Sequence, residues 1–336
     1  MKEIADIEGA TVLLTGATGF IGSHLADALS RLGCKVHCVV RPGRPLRWLD
    51  PSRAVIHRME LEETSQLRRP LEQADYLFHC AGQVAAQRKE EYTQANVTAC
   101  RTLYEACRRY GSHLRAAVHL SSLAAVGPAD PLRPVDETTP CHPVTHYGTS
   151  KKEGEDVALE YSSSLPLLVV RPPVVYGPRE TQFFTYLKTL NRGWFIKAGS
   201  RPQVLSLICV HDLVEGMIKA ALNRTGNEER IYFLTDGAVY DWDHVARTAA
   251  EIFQVTLREM AVPEVLLSLL AGAGELYGAL RGEPFLFDRQ RLIDIRQSAW
   301  TACAENFFSR FDFRPRFDLA TGLGETIAWY KQQGWL

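Results

Sequence analysis

A phenol and an ammonium stand four residues apart in Tyr147-Gly148-Thr149-Ser150-Lys151. In a helix, positions i and i+4 share a face. A lysine beside a tyrosine favours the phenolate, and at a separation of about 4 Å the attraction is worth roughly 4 kcal/mol at an intermediate dielectric. That is on the order of three pK units below the ~10 of an ordinary phenol. A tyrosine tuned this way trades a proton with an alcohol or a ketone near neutral pH. Surface helices also carry such a pair by accident, so its weight depends on the residues around it.

The first of these is a glycine turn. Thr11–Thr15 is a short apolar run with Val12-Leu13-Leu14 at its centre, and it reads as a buried strand. It leads directly into Gly16-Ala17-Thr18-Gly19-Phe20-Ile21-Gly22. Ile21, Leu25, Ala28, Leu29 and Leu32 then mark one side of a helix that stops at Gly33. A phosphate-binding turn requires this context. Glycines let the backbone approach a pyrophosphate, and the helix N-terminus supplies free N–H groups and partial positive charge. The spacing is Gly-x-x-Gly-x-x-Gly rather than Gly-x-Gly-x-x-Gly, and a tight strand–helix turn without a ligand is the competing reading. The second strand, Lys35–Val40, is followed by Arg41, with Arg44 close behind. An acid there would hold a ribose 2′-hydroxyl, whereas a cation suits a 2′-phosphate. NADP(H) is therefore favoured over NAD(H), and a solvated surface arginine is the plainer alternative.

The remaining elements follow in order. Residues 54–57 read as a third strand, followed by Glu60 and Leu61 where an adenine would lie. A helix over 64–73 leads to a fourth strand over 75–80, and Ala81-Gly82 ends that strand at the expected cofactor edge beside Cys80. A long amphipathic helix over 91–110 carries Asn96 and turns Val97, Cys100, Leu103, Tyr104 and Cys107 inward. The fifth strand, within 115–122, ends in Ser121-Ser122. A serine where a parallel strand emerges lies at the carboxyl edge of the sheet, where open α/β folds bind ligands. After a proline-rich loop over 127–146, Tyr147 opens a helix to about residue 163. A sixth strand over 167–170 runs into Arg171-Pro172-Pro173. Beyond it the alternation loosens: helix 183–192, strand 204–210, helix 211–222, strand 230–234, helix 242–253 and a final helix from residue 318. Residues 262–281 place Val265, Leu266, Leu269, Leu270, Ala273, Leu276, Tyr277 and Leu280 at helical spacing. They read as the core of a smaller C-terminal lobe. A wall of an apolar substrate pocket and a shallow membrane contact are the alternatives.

Composition narrows the class. With 336 residues, 46% hydrophobic and 23% charged, the chain suits a globular protein with a sizeable core and two lobes. A net charge of −1 argues against a general attraction to nucleic acid or an anionic membrane. The eight cysteines are scattered without a Cys-x-x-Cys pair, which points to buried reduced thiols. His79 and His119 lie in separate strands with no second ligand at metal spacing, so no metal is expected. Cys80 reads as cofactor wall rather than nucleophile. The first residues lack an apolar signal core, and no apolar run is long enough to span a bilayer. The expected location is cytoplasmic.

Together these stretches resemble the extended short-chain dehydrogenase/reductase family, the NAD-dependent epimerase/dehydratases. The resemblance is carried by Thr15 through Gly22, Ser121-Ser122 before Val126-Gly127, Tyr147-x-x-x-Lys151, Arg171-Pro172-Pro173 through Tyr176-Gly177-Pro178, and Val210-His211-Asp212-Leu213. The ending, Gly322-Leu323 to Trp329-Tyr330 and Gly334-Trp335, looks similar as well. It implies an α/β fold: a Rossmann-type doubly wound parallel sheet over 1–175, with 204–225 packing back onto it. A smaller C-terminal α/β lobe over 176–336 would hold a small-molecule substrate. It further implies that Tyr147 is the acid/base and that Lys151 lowers its pKa and holds the nicotinamide ribose. Ser122 would donate to the substrate oxygen, with Ser121 as the alternative one residue away. Gly16, Thr18, Gly19, Phe20, Ile21 and Gly22 would surround the pyrophosphate. Cys80, Ala81, Gly82, Asn96, Ser121, Pro172 and Pro173 would line the cofactor, and helices 89–110 and 147–163 would pair across a homodimer.

Three details separate branches of the family. Ser122 is followed by Leu123-Ala124-Ala125, without the acid that a dehydratase uses to eliminate water. Val204-Leu205-Ser206-Leu207-Ile208 carries no cation to clamp a substrate diphosphate, although Arg201 lies just upstream. Arg41 suits exchangeable NADP(H) rather than tightly held NAD. With the apolar helix at 262–281, the chain looks most like the branch of 3β-hydroxysteroid dehydrogenases and dihydroflavonol reductases. The expected activity is ketone/secondary-alcohol interconversion on an apolar steroid-, lipid- or flavonoid-like molecule. A nucleotide-sugar epimerase or reductase is the alternative, and a non-catalytic NADP-binding protein is a third reading.

Overall fold

The computed structural model describes residues 2–198, 203–224, 229–282, 285 and 287–336. Its first half alternates strand and helix: β1 (Thr11–Thr15), α1 (Phe20–Arg31), β2 (Lys35–Val40), β3 (Ala54–Arg58), α2 (Arg68–Gln73), β4 (Tyr76–His79), α3 (Lys89–Thr93), α4 (Ala99–Tyr110), β5 (Ala116–Leu120), α5 (His146–Glu160) and β6 (Leu167–Arg171). The second half holds β7 (Val174–Tyr176), α6 (Gln182–Asn191), β8 (Trp194–Ala198), β9 (Val204–Leu205), β10 (Leu207–Cys209), α7 (Val210–Leu222) and β11 (Ile231–Phe233). It continues with β12 (Tyr240–Asp241), α8 (Trp242–Phe253), β13 (Arg258–Val262), α9 (Glu264–Arg281), α10 (Arg289–Arg296), β14 (Ala299–Trp300), α11 (Glu305–Phe311) and α12 (Leu319–Gln332).

Among the described residues, seven strands form one parallel sheet in the order β11-β6-β5-β4-β1-β2-β3. This is a Rossmann-type sheet, and its strand order reverses between β1 and β4. Strands such as β5 and β6 are apolar without alternation because both faces are covered. One face carries α1, α7 and α11, through Leu25, Leu29, Leu213, Met217 and Phe307. The other carries α2, α4 and α5, through Leu71, Leu103, Cys107 and Val157. From the later residues, α7 and β11 return to this sheet. A third cluster, including Tyr176, Leu187, Val245, Leu323 and Tyr330, forms the core of the C-terminal region.

Two expectations change. The run over 204–210 is not one strand. β9 joins β12 and β14, whereas β10 joins β7. Buried Ser206 separates them, with its hydroxyl accepting from Ala302 N at 3.2 Å. The helix over 262–281 exists as α9, but it is not a lobe core. It buries a narrow stripe of Leu267, Ala271, Gly274 and Gly278. Val265, Leu266, Leu269, Leu270, Leu276, Tyr277 and Leu280 are exposed. Helical periodicity finds an apolar face but does not say what covers it. Among the described residues, no helix is long and apolar enough to cross a membrane.

Candidate active site

Strand register aligns the candidate residues along one edge. Thr15 stands opposite Val39 and His79, His79 opposite His119, and Leu120 opposite Val170. Gly16, Arg41, Cys80, Ser121 and Arg171 therefore emerge at the carboxyl ends of adjacent parallel strands. Val40 pairs with Arg58, which brings Glu60 and Leu61 to the same edge beside Arg41.

The glycine turn is built for close approach. Gly16 has φ +77°, and a Cβ there would lie 2.5 Å from the Cys80–Ala81 peptide. A Cβ on Gly22 would lie 2.1 Å from the Gly16 oxygen. Gly19 caps α1 without a side-chain acceptor, and among the described residues no side-chain acceptor is bonded to the first N–H groups of that helix. Thr18, Phe20 and Ile21 are partly exposed around this end, as are Cys80 and Ala81, and Gly82 is exposed. Arg41 and Arg44 are exposed, and among the described residues neither has a carboxylate within ion-pair range. Ser121 keeps a buried hydroxyl with no hydrogen-bond partner among the described residues. The open helix end, the glycine cradle, the unpaired cations and this orphaned hydroxyl all fit a nicotinamide dinucleotide.

The catalytic candidates converge at the start of α5. Thr145 caps that helix by accepting from Gly148 N at 3.1 Å. Lys151 is buried, and its ammonium donates to the Leu120 carbonyl at 2.6 Å. Burial lowers the Lys151 pKa. The Tyr147 phenol behaves differently from the sequence expectation. Burial pushes it up to about 12, the Ser122 hydroxyl pulls it down, and Asp294 and Tyr92 add to the rise. Lys151 is not among the groups that shift it. The Lys151 ammonium is turned to a backbone carbonyl, and desolvation of the phenolate prevails.

Asn96 ties the parts together. The expected single helix over 91–110 is interrupted by a π-helical turn, Gln94–Thr98. There the Asn96 carboxamide oxygen accepts from Gln83 N at 2.7 Å, and its nitrogen donates to Gln83 O at 3.0 Å and Ser150 Oγ at 2.8 Å. The loop after β4 is thus fastened to α5 one residue from Lys151. Glu155, one turn further on, is fully buried and forms a two-pronged ion pair with buried Arg171. That pair fixes α5 against the end of β6, just before Pro172, whose carbonyl accepts from Leu123 N at 2.8 Å. Pro172 is buried and Pro173 partly exposed.

Sequence reasoning missed Glu155, Tyr92 and Asp294. Tyr92 brings its ring centroid to 6.4 Å from that of Tyr147. No local pattern marks these residues; the pairing of Glu155 with Arg171 needs α5 and β6 to be adjacent.

The histidines also need correction. The cross-strand register sets His79 and His119 side by side, with ring centroids 5.3 Å apart, and α4 adds Cys100. The ligand atoms of these three residues lie within 4.8 Å of one another. His79 contacts Thr15 Oγ1 at 2.6 Å and Cys100 Sγ at 3.1 Å. Spacing along the chain does not show neighbours across strands. Burial, with the Lys151 charge behind it, lowers His79 to about 3, and burial raises Cys100 to about 12. A neutral polar cluster beneath the ammonium is the electrostatically consistent state, because a dication there would face Lys151.

Comparison with known proteins completes the description. The model of the NAD dependent epimerase/dehydratase family matches residues 12–234. The chain is 27% identical over 330 residues to a ceramide reductase of Caulobacter vibrioides, covering 97% of this chain and 96% of that one. It is 30% identical over 230 residues to a 4-hydroxy-2-methyl-3-oxo-4-farnesyl-3,4-dihydroquinoline-1-oxide ketoreductase of Stigmatella aurantiaca, covering 67% and 68% of the two chains. The fold is shared with UDP-glucose 4-epimerase of Thermotoga maritima, with a TM-score of 0.77 and 20% identity over 96% of this chain and 99% of that one.

Proposed function

From the premise that this chain belongs to the NAD dependent epimerase/dehydratase family and is an NAD(P)-dependent oxidoreductase, we propose that it interconverts a ketone and a secondary alcohol on an apolar molecule. The cofactor is NADP(H), with Arg41 and Arg44 at the 2′-phosphate and Glu60 and Leu61 beside the adenine. The observation that carries the reading is that the glycine turn and Ser122 leave the sheet at one carboxyl edge and that α5 brings Lys151 onto the Leu120 carbonyl and Tyr147 to the Ser122 hydroxyl at that edge. The apolar substrate is supported by the activities of the reductase relatives and by the Leu-rich α9, whose Gly278 carbonyl accepts from Gln87 Nε2 in the loop after β4 at 2.7 Å.

When bound, the cofactor supplies or takes up the hydride. The chain's own groups handle the proton. In the reduction direction, negative charge grows on the substrate oxygen. Ser122 donates a hydrogen bond to it, and Tyr147 donates its proton. The raised phenol pKa keeps Tyr147 protonated at neutral pH, the state that carbonyl reduction requires. Lys151 holds the nicotinamide ribose, and the alcohol-oxidising direction needs its ammonium swung toward the phenol. The exposed leucines of α9 support a shallow contact with a membrane surface that delivers such substrates. A homodimer through α4 and α5 is the remaining part of the reading. Those helices are already joined within the chain by the Arg101–Glu160 pair.

The test is NADPH consumption with a panel of long-chain, steroid and polycyclic ketones. At least one should be turned over, and Tyr147→Phe should lower that turnover by about 10²–10⁴-fold while leaving NADPH affinity unchanged. Turnover of none by the wild-type protein would reject the reading. The second reading, a nucleotide-sugar enzyme, rests on the fold shared with the epimerase. Arg201, its candidate diphosphate clamp, lies outside the described residues. It predicts that UDP-sugars raise the melting temperature by mass action.

A further inference from the structure

Among the described residues, three buried charges illustrate how such groups are partnered. Arg171 has Glu155, Lys151 has the Leu120 carbonyl, and Asp212 accepts from Arg316 N and Phe317 N. Asp294 departs from this pattern. Its Oδ1 is buried with no hydrogen-bond partner. Among the described residues, the carboxyl has no ion pair or hydrogen bond at all. An unmatched buried acceptor is costly, and folded proteins rarely keep one without a use.

Its place in the fold suggests the use. Asp294 sits on α10, four residues after Gln290 and so on the same face. The Gln290 Oε1 accepts from His146 N at 2.7 Å, which docks that face against the first turn of α5, next to Tyr147. From the other side, Trp300 donates to the Asp294 carbonyl at 3.0 Å. The Trp300 ring packs on the cluster of Leu123 and Val126, the turn directly after Ser122. Asp294 thus stands between the Ser122 turn and the Tyr147 end of α5. Its negative charge reaches the phenols of both Tyr147 and Tyr92.

Building on the ketone/alcohol reading, we propose that Asp294 is the substrate-orienting residue of this site. It accepts a hydrogen bond from a hydroxyl, amide N–H or ammonium that the substrate carries a few bonds from the reacting carbon. The substrate class is then an apolar body whose carbonyl has a hydrogen-bond donor beside it, not a plain ketone. The carboxyl, on a partly exposed residue, fixes which side of the molecule enters first, and its unmatched Oδ1, packed out of water's reach, has to turn to meet that donor as the substrate seats. Its pKa, raised to about 6 by burial, is consistent with an acceptor held out of water.

The test compares two ketones with the same chain, 1-hydroxy-2-dodecanone and 2-dodecanone, in the wild-type protein, Asp294→Leu and Asp294→Asn, with NADPH present. The wild type should prefer the hydroxyketone in kcat/KM by about 10–100-fold, the size expected for a hydrogen bond to a charged group. Asp294→Leu should erase that preference, read as the ratio of the two kcat/KM values so that any common change in the Tyr147 acid cancels, and Asp294→Asn, which keeps an acceptor oxygen, should retain part of it. The proposal is overturned if the preference survives in Asp294→Leu, or if both ketones lose equally. Failure of the wild type to reduce either ketone counts against the ketone/alcohol reading, which the wider ketone panel then decides. Binding of 1,2-dodecanediol against 2-dodecanol to the NADP-loaded protein then decides on Asp294, through tryptophan fluorescence. A diol preference lost in Asp294→Leu supports the proposal, and no diol preference overturns it. Should Asp294→Leu fail to fold, Asp294→Asn supplies the comparison, with a fall in preference expected and an unchanged one overturning.

Discussion

Tyr147 shows how far residue type and spacing carry and where they stop. Four-residue spacing puts Tyr147 and Lys151 on one helical face, but the direction of a pKa shift depends on which neighbour prevails. Here the Lys151 ammonium is turned to a backbone carbonyl, burial of the phenol sets the direction, and the shift is upward. Arg41 is a simpler case. It is exposed, and among the described residues it has no carboxylate partner, so its charge is available to a ligand. Arg41→Glu is expected to weaken NADP(H) binding by at least about tenfold and to leave NAD(H) binding within about threefold. Titrating both cofactors by fluorescence measures this, and an equal loss for the two would show that Arg41 does not read a 2′-phosphate.

Helices matter here through what lies beneath them. α5 approaches the π-helical turn at Asn96 closely enough that a Cβ on Gly154 would stand 2.2 Å from the Asn96 carbonyl oxygen. Gly154→Ala must push these segments apart, at a cost of about 1–3 kcal/mol. Gly324 on α12 has nothing within 4 Å of the equivalent position. Gly324→Ala should therefore be neutral, or stabilising by about 0.5–1 kcal/mol, through helix propensity. Urea unfolding of the two variants separates close packing from propensity, and equal effects would contradict the packing argument. α9 teaches the opposite lesson. The same periodic leucines that suggest a core helix belong to one whose apolar face is open.

At the scale of the whole molecule, buried imidazoles set the response to acid. His24 and His79 are lowered to about 3 by burial, and His119 lies well below the ordinary 6.5. Their folded pKa values lie below the unfolded one, so the unfolded chain takes up protons first. Their contribution to stability is intact above about pH 6.5 and is lost as pH falls toward 3. Asp236 and Asp294, raised to about 6, act in the opposite sense between pH 6 and 4. The decline should therefore be shallow at first and steep below pH 4. His24→Gln removes one of these groups, and its urea midpoint should drop less than that of the wild type between pH 6.5 and 3.5; an equal drop would assign the acid response elsewhere. Apolar runs, the glycine turn and Tyr147-x-x-x-Lys151 were legible in the sequence because each is set by interactions within a few residues. From them followed the Rossmann-type sheet and the family. What pairs across strands and between distant helices was decided by tertiary structure alone. The Arg171–Glu155 pair, the meeting of His79 with His119 and Cys100, the exposure of α9 and the unpartnered Asp294 all belong there. Each depends on which surfaces meet, and a linear pattern records a residue's chemistry but not the neighbour that neutralises, covers or desolvates it.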